Sequence, residues 1–284
     1  MTQTALDLTI AIPVRNEERN LLNCLEAIGK DFAQNIFVID SESTDKTCII
    51  AKEFGAEVVN FIWNGQFPKK RNWFLRNHTP VTKWILFLDA DEYITVGFKE
   101  ELRVALSEDD KAGYWLNYTI YFMGKKLKGG YPLRKLALFR VGAGEYEELN
   151  EQQWSKFDME IHEHPILKGK IGFIKSKIDH QDFKGIAHYI SKHSEYAAWE
   201  AKRFIALSNS GGRSSWTWKQ HIKYRLIQTV WIGPLFFIGS YFVLGGIRDG
   251  GRGLSFAILK MSYFNQVYCK ILEHKNCLKN NCSA

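Results

Sequence analysis

Short apolar runs alternate with helical periodicity through the first ninety or so residues. Leu8-Thr9-Ile10-Ala11-Ile12-Pro13-Val14 is apolar and β-branched, which predicts a buried parallel strand. Leu21, Leu22, Leu25 and Ile28 then recur at helical spacing, with Gly29 placed to end the helix. Ile36-Phe37-Val38-Ile39 predicts a second strand closing on Asp40. Ser41 to Asp45 is rich in helix-capping residues and leads into a helix carrying Ile49, Ile50 and Phe54. Glu57 to Phe61 predicts a third strand, Pro68 is placed to open a helix at its first position, and Trp84 to Leu88 predicts a fourth strand. This alternation predicts an α/β domain with a mostly parallel sheet.

Further on, Gly113–Phe122 and Tyr131–Arg140 read as aromatic-rich strands, suited either to core or to sugar stacking. Ile171 to Ile178 alternates towards a strand end at His180, and Ala187–Leu207 reads as a long helix. Leu226 to Ile247 is a greasy stretch of near-spanning length, interrupted by Gly233-Pro234 and closed by Gly245-Gly246. Basic and aromatic residues, among them Trp216, Trp218, Lys219, Lys223 and Arg225, precede it. Three readings stand: a segment lying in a membrane interface, a helical hairpin buried in the domain or a dimer, and a transmembrane span. Gly245–Gly253, around Arg248 and Asp249, reads as a hinge.

The polar residues gather at predicted strand ends. Strand one delivers Pro13, Arg15, Asn16 and Glu17; strand two, Asp40 and Ser41; strand four, Asp89-Ala90-Asp91. Ligands of open α/β sheets bind at these carboxyl ends. Two carboxylates one residue apart suit Mg²⁺ or Mn²⁺, which take one or two carboxylates plus substrate phosphate oxygens. Asn16 and Ser43 either cap helices or line a nucleotide crevice, where helix N-termini can face phosphates. The glycine-rich fingerprints of dinucleotide and P-loop sites do not occur in the sequence, nor does a zinc-type His/Cys pattern.

Pro13-Val14-Arg15-Asn16-Glu17-Glu18, then Asp40 to Thr47, then Leu88-Asp89-Ala90-Asp91-Glu92 resemble, in order and spacing, the three signatures of family 2 glycosyltransferases. The match is close over residues 6 to 110. A looser match through Ile161-His162-Glu163, Ile178-Asp179-His180 and His188-Tyr189 resembles the branch that assembles lipopolysaccharide core and other bacterial surface glycans. The resemblance implies a GT-A fold, a Rossmann-like nucleotide-binding half with a C-terminal helical, membrane-proximal extension. It also implies inversion, a divalent metal (Mg²⁺ or Mn²⁺) and a nucleotide-sugar donor, with a UDP-sugar expected. Residues 1–110 would bind the donor, 111–182 would carry the acceptor and catalytic part of a domain reaching residue 210, and 211–284 would form the extension.

Carried over, Pro13, Arg15, Asn16 and Glu17 lie beside the base, with Asp40 and Ser41 on base or ribose. Asp89 and Ala90 face the ribose and metal shell, and Asp91 ligates the metal. Lys69, Lys70 and Arg71 stand where members carry a basic residue towards the diphosphate, or else begin a solvated helix. His180 completes the metal or diphosphate site, with His162 and His164 as competitors.

Displacing a nucleoside diphosphate requires a cation at the leaving group, a base for the acceptor hydroxyl and in-line positioning. Glu163, in the His-Glu element, is the expected base, with Asp158 and Glu160 in reserve. Many members of the branch carry Arg in an Arg-Leu-Phe element where this chain has Ala137, so Arg134 or Lys135 takes over the acceptor contact, or the acceptor subsite differs. Three other readings remain: a polyprenyl-phosphate sugar synthase, a nucleotidyltransferase, and a non-catalytic nucleotide-sugar-binding module.

Composition narrows the partners. Apolar residues make up 45% of 284 residues, which argues against disorder. Residues 1–164 hold 20 Lys and Arg against 25 acids, and residues 165–284 hold 18 against 6. The basic half, beside a greasy segment and with no nucleic-acid motif, points to an anionic membrane surface and a glycan or glycolipid acceptor there. Residues 1–7 are polar with no signal peptide pattern, and five scattered Cys read as reduced thiols. The expected location is the inner face of the cytoplasmic membrane.

Overall fold

The computed structural model describes residues 4–107, 110–148, 158, 160, 164–181, 184–209 and 218–279. Contacts divide the chain into two compact units, Met1–Tyr121 with Pro132–Phe183, and Phe122–Tyr131 with Lys184–Ala284.

The first unit begins with strand–helix alternation: β1 (Leu6–Val14), α1 (Leu21–Ile28), β2 (Ala33–Asp40), α2 (Thr47–Phe54), β3 (Glu57–Asn60), α3 (Lys70–Asn77) and β4 (Trp84–Phe87). The apolar runs sit where the sequence puts them, because strands flanked on both sides and covered by helices leave no face for polar residues. Leu8, Ile10 and Ile12 pack with Leu21, Leu25 and Ile28 of α1, while Ala11, Ile39, Ile85 and Phe87 pack with Phe74 of α3 on the other face. Gly29 ends α1 at φ +78°, a conformation that L side chains rarely adopt. Pro68 does not open α3. The helix begins two residues later, at Lys70, with Lys69 as its cap.

The chain continues through β5 (Glu92–Tyr93), α4 (Val96–Ser107) and β6 (Lys111–Phe122), then β7 (Lys125–Lys126) of the second unit, then β8 (Arg134–Arg140), β9 (Gly144–Tyr146), β10 (Pro165–Leu167) and β11 (Lys170–His180). The main sheet runs β3-β2-β1-β4-β8-β6-β11-β5. β3, β2, β1 and β4 are mutually parallel, whereas β8 is antiparallel to both β4 and β6. The parallel character thus belongs to the nucleotide-type half, and the sheet as a whole is mixed. Strand order reverses at β1, whose neighbours are β2 and β4, and such a switch point opens a crevice at the carboxyl ends.

β11 lies parallel to β6 as far as Ile174↔Leu116, then resumes at Lys177↔Asn117. The bulge leaves Lys175 and Ser176 without ladder partners. Their N–H groups donate instead to the two carboxylate oxygens of Glu101 on α4, at 2.8 and 2.7 Å. Those bonds, working against burial, hold the Glu101 carboxyl below its ordinary range. Asn117 Nδ2 donates to the Ile174 carbonyl at 2.6 Å.

The second unit contains α5 (Gly185–Asn209), α6 (Trp218–Leu226), α7 (Ile232–Ile238) and α8 (Gly250–Lys279). Ala197, Ala201, Phe204, Tyr224, Ile227, Tyr263, Val267 and Ile271 form its core. Gly233-Pro234 does not interrupt the apolar segment. Both residues lie in the first turn of α7, where a missing N–H costs nothing. The breaks fall instead between α6 and α7 and at Gly245, φ +75°. Between α7 and α8 come a widened π-type turn, Gly239–Val243, and a tight turn, Gly246–Asp249. Among the described residues no helix is long and apolar enough to cross a membrane, so the spanning reading of 226–247 fails. Asp249 accepts hydrogen bonds from the N–H groups of Lys128 and Gly129, fastening the glycine-rich hinge.

Candidate active site

Two loops leave the carboxyl ends of β1 and β2 and are laced together. The Asn16 N–H donates to Ser43 Oγ and the Thr44 N–H to Asn16 Oδ1, both at 2.8 Å. The Glu17 N–H donates to Thr47 Oγ1, and the Glu18 N–H to Asp45 Oδ2. Asn16 and Glu42 sit at φ +56° and +54°, the left-handed turns that let the loops face each other. Asn16 and Ser43 are therefore cross-ties between loops and not helix caps. The α2 start is served by Asp45, whose Oδ1 accepts from the Thr47 N–H. Arg15 is exposed on this rim and Pro13 is buried in β1.

Asp40 lies at the floor, 3% exposed. Its Oδ2 accepts the Ser43 N–H at 3.0 Å, while its Oδ1 is buried and has no hydrogen-bond partner among the described residues. A buried carboxylate oxygen without a donor is costly, and it leaves an acceptor open at the floor of the crevice. Ser41 Oγ donates to Asp158 Oδ2 at 2.7 Å.

Asp89, Ala90 and Asp91 follow β4, with Ala90 buried. Asp89 is held by two cations. Arg71 Nη2 reaches its Oδ1 at 2.8 Å, and Lys135 Nζ reaches its Oδ2 at 2.6 Å. Burial pulls the Asp89 carboxyl upward, but Lys135 and then Arg71 outweigh it and hold the group well below the usual carboxylate range. Lys135 also pairs with Glu92, whose second oxygen accepts the Asp89 N–H at 3.1 Å while its own N–H donates to the Asp89 carbonyl. Glu92 is almost wholly buried, and burial, with Asp89 and Asp91 close by, pushes its carboxyl up to about 7 against the pull of Lys135. Glu92 carries no role in the sequence pattern, although a third acid beside Asp-x-Asp demands a compensating cation.

Lys135 therefore belongs to the carboxylate cluster. Arg134 points elsewhere, donating to Asn117 Oδ1 at 3.1 Å and lying over the Phe173 ring. Both sit on β8, whose alternation sends neighbours to opposite faces.

Asp91 meets His180 across the β5–β11 pairing, in which His180 faces Glu92 in register. His180 Nε2 lies 3.6 Å from Asp91 Oδ2, and the Gln181 N–H donates to the Asp91 carbonyl. A residue 89 positions downstream thus joins the strand-four acids. Among the described residues no cluster of three His, Cys, Asp or Glu side chains could hold a metal alone.

The α3 start is buried, not solvated. Lys70 is 2% exposed. Its Nζ donates to the Val14 carbonyl and pairs with Asp158, both at 3.1 Å. Burial lowers the Lys70 ammonium, with Asp158 opposing. Glu160 accepts the N–H groups of Arg71 and Asn72 through its two oxygens, capping α3 from ninety residues away. Both reserve bases are thus engaged in structure. Glu163 and His162 lie outside the described residues. His164 packs edge-on against Trp115.

The sequence model described as "Glycosyl transferase family 2" matches residues 9–164. An uncharacterized glycosyltransferase of Rickettsia felis is 24% identical over 277 residues, spanning 93% of this chain and 90% of its own. Another, from Rickettsia conorii, is 25% identical over 282 residues, spanning 95% and 93%. Among solved structures, a mannosyltransferase from Pyrobaculum calidifontis, in complex with GDP-Man and Mn²⁺, aligns over 96% of this chain and 89% of its own, with a TM-score of 0.56 at 13% identity.

Proposed function

Because the chain belongs to glycosyltransferase family 2, with a GT-A fold, we propose that it transfers a hexose-type sugar, with inversion, from a nucleotide-sugar donor to a membrane-associated glycan acceptor. The lipopolysaccharide core or a lipid-linked saccharide is the acceptor class we favour, and a UDP-sugar the donor. The observation that carries the reading is that Asp40, Asp89 and Asp91 follow the carboxyl ends of β2 and β4, the two strands flanking the β1 switch point, and that the β5–β11 pairing brings His180 to Asp91.

Asp40, through its unpartnered Oδ1, is placed to accept from the base or ribose. The laced loops of Asn16 and Ser43 hold Arg15 and Glu17 at the rim of that subsite. Both oxygens of Asp89 are occupied by Arg71 and Lys135, which leaves Asp91 and His180 as the donors for a divalent ion. One carboxylate and one imidazole fit Mn²⁺ or Mg²⁺ only if a diphosphate supplies further oxygens, which suits binding together with the donor. Once bound, the ion would stabilise charge on the departing diphosphate. Arg71 and Lys135 keep Asp89 ionised, and Lys70 holds the end of β1 in place. The base is assigned to Glu163 on its His162-Glu163 element.

The test is donor hydrolysis by purified protein with Mn²⁺ or Mg²⁺ and a panel of nucleotide sugars. Slow release of one nucleoside diphosphate, abolished by EDTA and by Asp91→Asn, is the expected result. A protein that neither cleaves nor binds any nucleotide sugar overturns the reading.

A further inference from the structure

The second unit carries a line of apolar side chains turned outward. Trp231, Leu235, Ile238 and Phe242 recur at steps of four, three and four residues through α7 and its π-type turn, and are 64, 48, 50 and 56% exposed. Val243 and Ile247 extend the line, and Trp218 and Ile222 on α6 repeat the pattern one turn apart. The other side of the same stretch is buried. Ile232, Gly233 and Ser240 are covered, and a Cβ at Gly233 would lie 2.1 Å from Asn265 Oδ1 of α8. A helix on a soluble protein turns its polar face to water. This one packs on α8 through a glycine and turns its large apolar residues outward, which marks an interaction face.

Charge selects the occupant. Between residues 201 and 272 the chain has ten Lys and Arg and a single acid, Asp249. That carboxylate is already committed to the Lys128 and Gly129 N–H groups. Arg225, Arg248 and Arg252 are exposed at the two ends of the stripe. A second copy of the chain would bring this cationic surround against itself, whereas an anionic surface complements it.

We infer that the Trp231–Phe242 stripe is a docking face for an anionic lipid bilayer. The helix lies along the headgroup boundary. Leu235, Ile238 and Phe242 enter the acyl region, Trp231 sits at headgroup level, and the three arginines lie against lipid phosphates. The inference names where the protein is held and does not rest on the transfer reading.

The full chain is sedimented with vesicles of phosphatidylglycerol and phosphatidylcholine, and with phosphatidylcholine alone. Binding to the anionic vesicles is expected, with loss at high salt and on phosphatidylcholine alone. Leu235→Ser with Phe242→Ser should weaken it about tenfold or more, since two large apolar groups no longer leave water. Arg225→Gln with Arg252→Gln, which alters no apolar packing, should weaken it independently. Donor hydrolysis in vesicle-free solution should be unchanged in both. Equal vesicle binding by both double variants overturns the proposal, as does recovery of the wild-type protein in the supernatant. A concentration-dependent dimer that the Leu235/Phe242 variant abolishes, without vesicle binding, assigns the face to a second copy instead.

Discussion

Lys135 and Asp89, forty-six residues apart, are joined by a 2.6 Å ion pair from the start of β8 to the turn just after β4. The same ammonium answers Glu92, so a single cation compensates two carboxylates in a site that excludes much of the solvent. Lys135→Met removes the ion-pair partner of Glu92 and leaves Asp89 with Arg71. Breaking a buried pair by removing one partner is strongly destabilising, and partial exposure reduces the cost here to about 2–3 kcal/mol. Urea unfolding should show that loss, and Lys135→Arg should recover part of it.

His180 offers a separable effect. Its imidazole is about one quarter exposed, so His180→Ala should change the stability of the metal-free protein by less than about 1 kcal/mol. Mn²⁺ affinity in the presence of a nucleoside diphosphate should fall at least about tenfold, as read by the paramagnetic resonance of free Mn²⁺. Unchanged affinity would remove His180 from the donor set.

The cross-tie between the first two loops distinguishes a lost bond from backbone strain. Asn16→Ala removes the acceptor for the Thr44 N–H and forces a Cβ residue without local hydrogen bonding into φ +56°. Asn16→Gly removes the same acceptor and relieves the backbone. Alanine should cost about 1–2 kcal/mol more than glycine in thermal or urea unfolding. Both should weaken nucleotide binding in isothermal titration calorimetry.

Lys260 on α8 sets a pH signature. Its Nζ lies 3.1 Å from His193 Nε2, amid the rings of Tyr189, Phe256 and Tyr263. Burial, with Lys192 adding repulsion, lowers the ammonium to about 8. The folded protein thus holds fewer protons than the unfolded chain between about pH 8 and the ordinary lysine value, and this group's destabilising contribution shrinks as pH rises through that window. The stability difference between Lys260→Met and wild type should therefore be most favourable to the variant below pH 8 and decline towards pH 10. Taking the difference cancels the opposing titration of Cys24, whose thiol burial pushes well up. A flat difference would contradict the shift.

The nucleotide-type half was legible because its order is written in local pattern. Apolar runs at Leu8–Val14 and Trp84–Leu88 have no alternative to burial between helix layers, and capping-rich stretches punctuate them. The acids of Asp89-Ala90-Asp91 and the His at 180 were legible as strand ends. What joins them was not. Lys135 pairs with Asp89 only because β8 inserts between β4 and β6, a strand order that periodicity does not encode. Glu160 reads as a loop acid, yet it caps a helix begun ninety residues earlier. Asn16 and Ser43 have ordinary capping chemistry, and only the antiphase left-handed turns at 16 and 42 redirect it across the crevice. The apolar run 226–247 showed no break at residues 227–231, because Ile227 continues the hydrophobic pattern into the core while the chain turns.

The bulge in β11 gives the strand slack that the site does not use. β11 spends two residues, Lys175 and Ser176, without advancing along β6, and because the surplus is even, inward and outward faces are preserved on both sides of it. Because the two residues add nothing along β6, deleting them would leave every core side chain on its proper face and His180 still opposite Ile120, beside Asp91, while stripping Glu101 of both its N–H donors. Glu101 is the clasp on that slack, gripping both loose amides from α4. The surplus thereby serves the tie between α4 and β11 and leaves the reach of His180 unchanged, as a belt loop takes a fold of leather without moving the buckle.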